Sequence, residues 1–69
     1  MRYIVLDTLG DRDTTEIAGR KGTVLGRFRS DEIARAMVLR RLGYGWRGVV
    51  AVDSTTGAVV CPESDAAWR

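Results

Sequence analysis

The side chains able to carry chemistry in this chain are mostly arginines and carboxylates. Its 69 residues hold eleven basic side chains, ten arginines and Lys21, against nine acids, with no histidine. The commonest general base is therefore missing, and neither a Ser-His-Asp nor a Cys-His mechanism can be assembled. A single cysteine, Cys61, allows no intrachain disulfide and no cysteine-based metal site, which fits a cytoplasmic protein. Asp11-x-Asp13 followed by Thr15 and Glu16 has the acid spacing of a calcium loop. It lacks the central glycine, the terminal glutamate and the flanking helices that such a loop needs. Asp7 and Asp53 form a carboxylate pair only if the strands carrying them adjoin; otherwise each sits at a strand end in water. The glycine-rich run 43–48 follows a helical pattern rather than a strand, the wrong order for a phosphate-binding loop. The expectation is a protein with no catalytic residue, no cofactor and no metal.

The basic residues are the remaining candidates. A net charge of +2 is too small to drive the chain onto nucleic acid by bulk charge. A local positive surface is a different matter. Arg20, Lys21, Arg27, Arg29, Arg40, Arg41 and Arg47 form one if the second strand and the helix C-terminus share a side, and Tyr44 and Trp46 are interleaved with three of them. Aromatics among arginines anchor protein interfaces or stack on bases. The plainer reading makes Trp46 core, Tyr44 half-buried and the arginines a solvated rim.

These residues must be positioned by a single small domain spanning 1–69. A hydrophobic content of 45% is ordinary for a globular chain and argues against disorder. No apolar run approaches the ~20 residues that span a bilayer, and the N-terminal apolar run is cut short at Asp7, unlike a signal peptide. Residues 2–8 are β-branched and aromatic and read as a strand. Residues 10–16 read as a loop, and Gly19-Arg20-Lys21-Gly22 as a second break. Residues 23–29 read as a second strand, with Val24, Gly26 and Phe28 on one face and Leu25, Arg27 and Arg29 on the other. Ser30-Asp31-Glu32 caps and charges the start of a helix over 31–42, with Arg40 and Arg41 in its last turn and Gly43 as its left-handed stop. Ile33, Ala34, Met37 and Val38 make its apolar stripe, while Ala36 and Leu39 lie off centre. Such a helix is either covered on a second side by the C-terminal tail or presents a patch to a partner. Residues 46–53 and 58–61 read as two further strands joined by a turn at Gly57, and Trp68 folds back onto the domain. The fold class is α+β: a four-stranded, mainly antiparallel sheet in the order β-β-α-β-β, with one helix on one face and Arg27, Arg29 and either Arg47 or Arg2 on the other.

The Tyr-Ile-Val-Leu first strand, the Gly-Thr-Val-Leu second strand running into Ser30-Asp31-Glu32-Ile33-Ala34-Arg35-Ala36, and the Gly48-Val49-Val50-Ala51-Val52 strand with a glycine hairpin and a late Trp68 carry a resemblance. Together they resemble the small β-β-α-β-β proteins of phages and other mobile elements, among them anti-CRISPR inhibitors of type I surveillance complexes. The resemblance implies a stoichiometric, non-catalytic inhibitor in the host bacterial cytoplasm, bound to a type I CRISPR-Cas effector subunit and blocking target DNA. It assigns no site residues. The alternatives are a nucleic-acid-binding or regulatory module using the Arg27/Arg29 face, and a bacterial interaction domain that dimerises. A monomer and a homodimer are both compatible with the sequence.

Overall fold

A computed structural model of the chain describes residues 1–62; the expected docking of Trp68 and the tail lies outside the described residues. The continuous apolar run near the N-terminus forms β1 (Tyr3–Asp7), whose central Ile4, Val5 and Leu6 are buried. It is followed by β2 (Thr14–Ile17), β3 (Arg20–Phe28), α1 (Asp31–Gly43), β4 (Val49–Asp53) and β5 (Val59–Cys61). The class is α+β as expected, but the sheet has five strands, in the order β2-β3-β1-β4-β5 with every neighbouring pair antiparallel. The added strand is β2, whose last three residues at least, from the polar stretch and Ile17, pair with what had read as a break before the second strand. Ala18 and Gly19 join β2 to β3 with φ of 50° and 81°. Two left-handed residues in a row match the twist of a two-residue hairpin; glycine accepts that geometry freely and alanine at about 1–2 kcal/mol.

The sheet has two buried faces. On one, Gly26, Val5, Ala51 and Cys61 lie opposite one another across four strands. This row of small side chains makes a shallow bed for α1, which buries Ala34 and Val38 against it. On the other, Val24, Leu6 and Val50 form a second row, joined by Val52, Val59 and Ile17. Ile17 reaches this face because the β2–β3 hairpin folds across it. The tip residue Ala18 lies beside Gly57 of the β4–β5 turn, its Cβ 3.4 Å from where a β-carbon on Gly57 would sit. The face expected to be open and arginine-bearing is therefore largely closed. Strict alternation along β3 also fails. Val5 pairs with Gly26 and Leu6 with Val24, leaving Leu25 as a bulge, so Leu25 joins Phe28 on the helix side while Val24 turns away.

Both helix ends differ in detail from expectation. Ser30 precedes the helix in extended geometry, but its side chain makes no capping bond; its carbonyl accepts from Ala34 N–H at 3.2 Å. The C-terminal stop is Gly45 rather than Gly43. Gly45 has φ +91°, its N–H bonds to Leu42 O, and Trp46 N–H bonds to Arg41 O. This paired 5→2 and 6→1 pattern satisfies two orphan carbonyls. It occupies the chain as far as Trp46, and after Arg47 and the positive-φ Gly48 β4 starts at Val49 instead of residue 46.

Arg2 and Asp53 fasten the N-terminus to the β4–β5 turn. Arg2 Nε donates to both carboxylate oxygens at 3.0 Å and Nη2 lies 2.8 Å from Oδ2. Asp53 Oδ1 also accepts from Thr55 N–H at 2.9 Å, inside the turn that Gly57 closes. The Arg2 hydrogen bonds are the main reason the Asp53 carboxyl is held down at about 2, against an ordinary 3.8. A depressed carboxyl stabilises the fold above its unfolded value and loses that contribution as the proton returns. The gap in Tm between wild type and Asp53→Asn should therefore be full above about pH 4 and shrink toward pH 2. A gap that widens with acid would refute this account of the strap. β1 and β4 do adjoin, but Asp7 lies opposite Val49 and Asp53 opposite Tyr3, so these two carboxylates sit at opposite ends of β1 and do not pair.

Candidate functional site: an arginine-rimmed groove beside the helix

The helix sequence places two stripes side by side. Ala34 and Val38 face the sheet. Ile33, Ala36, Met37, Arg40 and Tyr44, at steps of three and four residues, share a neighbouring face. The expected single stripe is thus divided: Ile33 is 57% exposed rather than core, and Met37 is half-buried. Phe28, from the end of β3, folds back over Gly26 toward Met37 and makes a floor beside this second stripe. Phe28, Ile33, Ala36, Met37, Arg40, Arg41 and Tyr44 line an open groove of about 530 Å³.

The charge of the groove has one sign. Its lining includes two arginines and no acid. Among the described residues, the ion pairs are Arg2–Asp53 and the exposed Asp31–Arg35 pair one helical turn apart, so Arg40 and Arg41 have no acidic partner there. Arg41 lies 4.7 Å over the Trp46 ring, a contact fixed by the same backbone motif that ends the helix. Tyr44, which the plainer reading made half-buried, is 76% exposed, and Trp46, taken there as core, is 39% exposed.

The basic set anticipated from sequence is therefore split. Arg40, Arg41, Tyr44 and Trp46 come together at the groove, and the exposed Arg47 directly follows Trp46. Arg29 follows the groove residue Phe28. Arg27 sits opposite Ile4, which alternates with the helix-facing Val5, so it belongs to the face away from the helix. Arg20 and Lys21 lie on the β2–β3 arm that crosses that same face. One surface cannot unite them with Arg40 and Arg41. Sequence reasoning missed Phe28, Ile33, Ala36 and Met37 as site residues. The available signal was the helix itself, whose apolar residues spread around more of its circumference than one buried face needs.

Comparisons with protein-family models, curated proteins and solved structures found no match to the chain. Among the described residues, no helix is long and apolar enough to cross a membrane.

Proposed function

We propose that this chain is a non-catalytic binding protein that holds a protein partner in the groove between β3 and α1. The observation that carries this reading is an exposed apolar stripe rimmed by two arginines without acidic partners among the described residues. Exposed aromatic and arginine side chains at the edge of an apolar pocket are what protein interfaces concentrate. The resemblance to small phage and mobile-element proteins names the partner as a type I CRISPR-Cas effector subunit, with the chain acting in the bacterial cytoplasm as a stoichiometric block to target DNA. That resemblance rests on element order and spacing, and β2 is an addition to the order it used.

The test is capture of type I surveillance complexes from lysate on the tagged chain, with duplex DNA binding measured in the same buffer. Wild type should retain the complex, and Arg40→Glu with Arg41→Glu should lose at least about tenfold of the retained amount while unfolding at an unchanged midpoint. Equal capture by wild type and variant would remove the groove from the interface. The second reading, a nucleic-acid module, draws on Tyr44, Trp46 and the adjacent arginines. It is identified by DNA binding that falls steeply with salt and no captured complex.

A further inference from the structure

The groove has a second property that narrows its partner. β2 pairs with β3 only from Thr23 to Arg20. Beyond that, residues 25–28 of β3 have β1 on one side and no strand on the other among the described residues. This open edge ends at Phe28, the floor of the groove. An edge strand presents a row of backbone N–H and C=O groups to any extended chain laid beside it. Side chains of an added strand alternate, so every second one would face α1 and the groove.

We infer that the free β3 edge and the groove together form a strand-addition site for an extended, acidic and apolar segment of a protein partner. This rests on the reading above that the groove holds a protein. The segment pairs its backbone with residues 25–28. Its apolar side chains lie on Phe28, Ile33 and Met37, and its carboxylates meet Arg40 and Arg41. Charge selects the acid, since the lining carries two arginines and no carboxylate among the described residues. The same charge argues against a second copy of this chain: pairing two β3 edges would bring one arginine-rimmed groove against another. Arg27 within the edge also opposes self-pairing, since two such edges would bring like charges together.

The probe is a fluorescein-labelled, end-capped peptide of roughly eight residues, an ordinary strand length. Threonine alternates with two leucines and then two glutamates, and both residue orders are made to cover both strand directions. At least one order should bind the full chain. Replacing its glutamates with lysine, or methylating the backbone nitrogens that face the edge, should each weaken binding at least about tenfold. Arg40→Glu with Arg41→Glu should invert the preference toward the lysine peptide, a gain that a misfolded variant cannot show. Methylation without effect overturns strand addition, and equal binding of the lysine peptide overturns the match to acid. If neither order binds while complex capture still depends on Arg40 and Arg41, strand addition falls and the binding-protein reading stands. If capture is lost as well, both fall. A dimer in sedimentation that Arg40→Glu dissociates assigns the groove to a second copy, and displacement of the peptide by duplex DNA assigns it to nucleic acid; either overturns the inference.

Discussion

Val50→Asp should abolish the cooperative unfolding transition. Val50 is fully buried in the middle of β4, in line with Leu6 and Val24 and beneath Ile17 of the folded-over hairpin. Val24, Leu6, Val52, Val59 and Ile17, its neighbours there, are all aliphatic, so an introduced carboxylate meets no donor in that cluster. Burying an unpaired charge is among the few single changes that exceed about 4 kcal/mol. A single core in a domain of this length rarely supplies more than about 3–5 kcal/mol in all. The change therefore removes most or all of the stability, and circular dichroism during a denaturant titration should show no sigmoidal transition. Val50→Ala, which deletes two methyl groups, should retain a transition displaced by about 2 kcal/mol. Thr15→Asp on the exposed β2 should move it little. A folded, cooperative Val50→Asp protein would mean that this face is open to water and that the hairpin does not cover it.

That covered face is where sequence reading and structure part. β1, α1, β4 and β5 are legible because each has a local signature. β1 and β4 are nearly continuous β-branched runs, α1 has acids in its first turn and arginines in its last, and Gly57 carries the positive φ of the last turn. β2 has no such signature. Thr14 to Glu16 are all exposed and polar, and only Ile17 reaches the core. Its hairpin turn is Ala18-Gly19 instead of Asn-Gly or Asp-Gly, so the strongest short-range hairpin signal is absent. Missing that hairpin left the sheet face that carries Arg27 apparently open, when Ile17 in fact covers part of it. The bulge at Leu25 is equally silent locally, because it depends on the register with β1. Tyr44 and Trp46 were identifiable as candidates by type, but their joining to Arg40 and Arg41 follows from the Gly45 stop, two residues beyond the one the composition suggests. The free edge of β3 was out of reach altogether, since it is defined by where β2 stops pairing.

Gly22→Ala should be strongly destabilising, because the added methyl meets backbone rather than side-chain atoms. Gly22 is buried where the β2–β3 hairpin crosses the end of β1. A β-carbon there would press on the Asp7 carbonyl oxygen, with the Asp7 carbonyl carbon 2.9 Å and Thr8 Cα 3.0 Å away. These are backbone atoms of a paired strand. Thr8 is itself held by its N–H and hydroxyl bonds to Gly48 O, at 2.9 and 2.6 Å. Neither side can yield without lifting the hairpin off Leu6, Val50 and Val52, so the cost should exceed the ~1–3 kcal/mol usual for overpacking. Two other glycines calibrate the effect. Gly19, at the hairpin tip, has φ +81° and open space around it, so Gly19→Ala pays only the left-handed strain of about 1–2 kcal/mol. Gly43 lies in the last turn of α1 with no neighbour near a new methyl, so Gly43→Ala should stabilise by about 0.5–1 kcal/mol. Denaturant midpoints should thus rank Gly43→Ala above wild type, Gly19→Ala below it and Gly22→Ala lowest. If Gly22→Ala proved as stable as Gly19→Ala, the hairpin would not cross β1 at that point. The burial of Leu6 and Val50 would then need another cover.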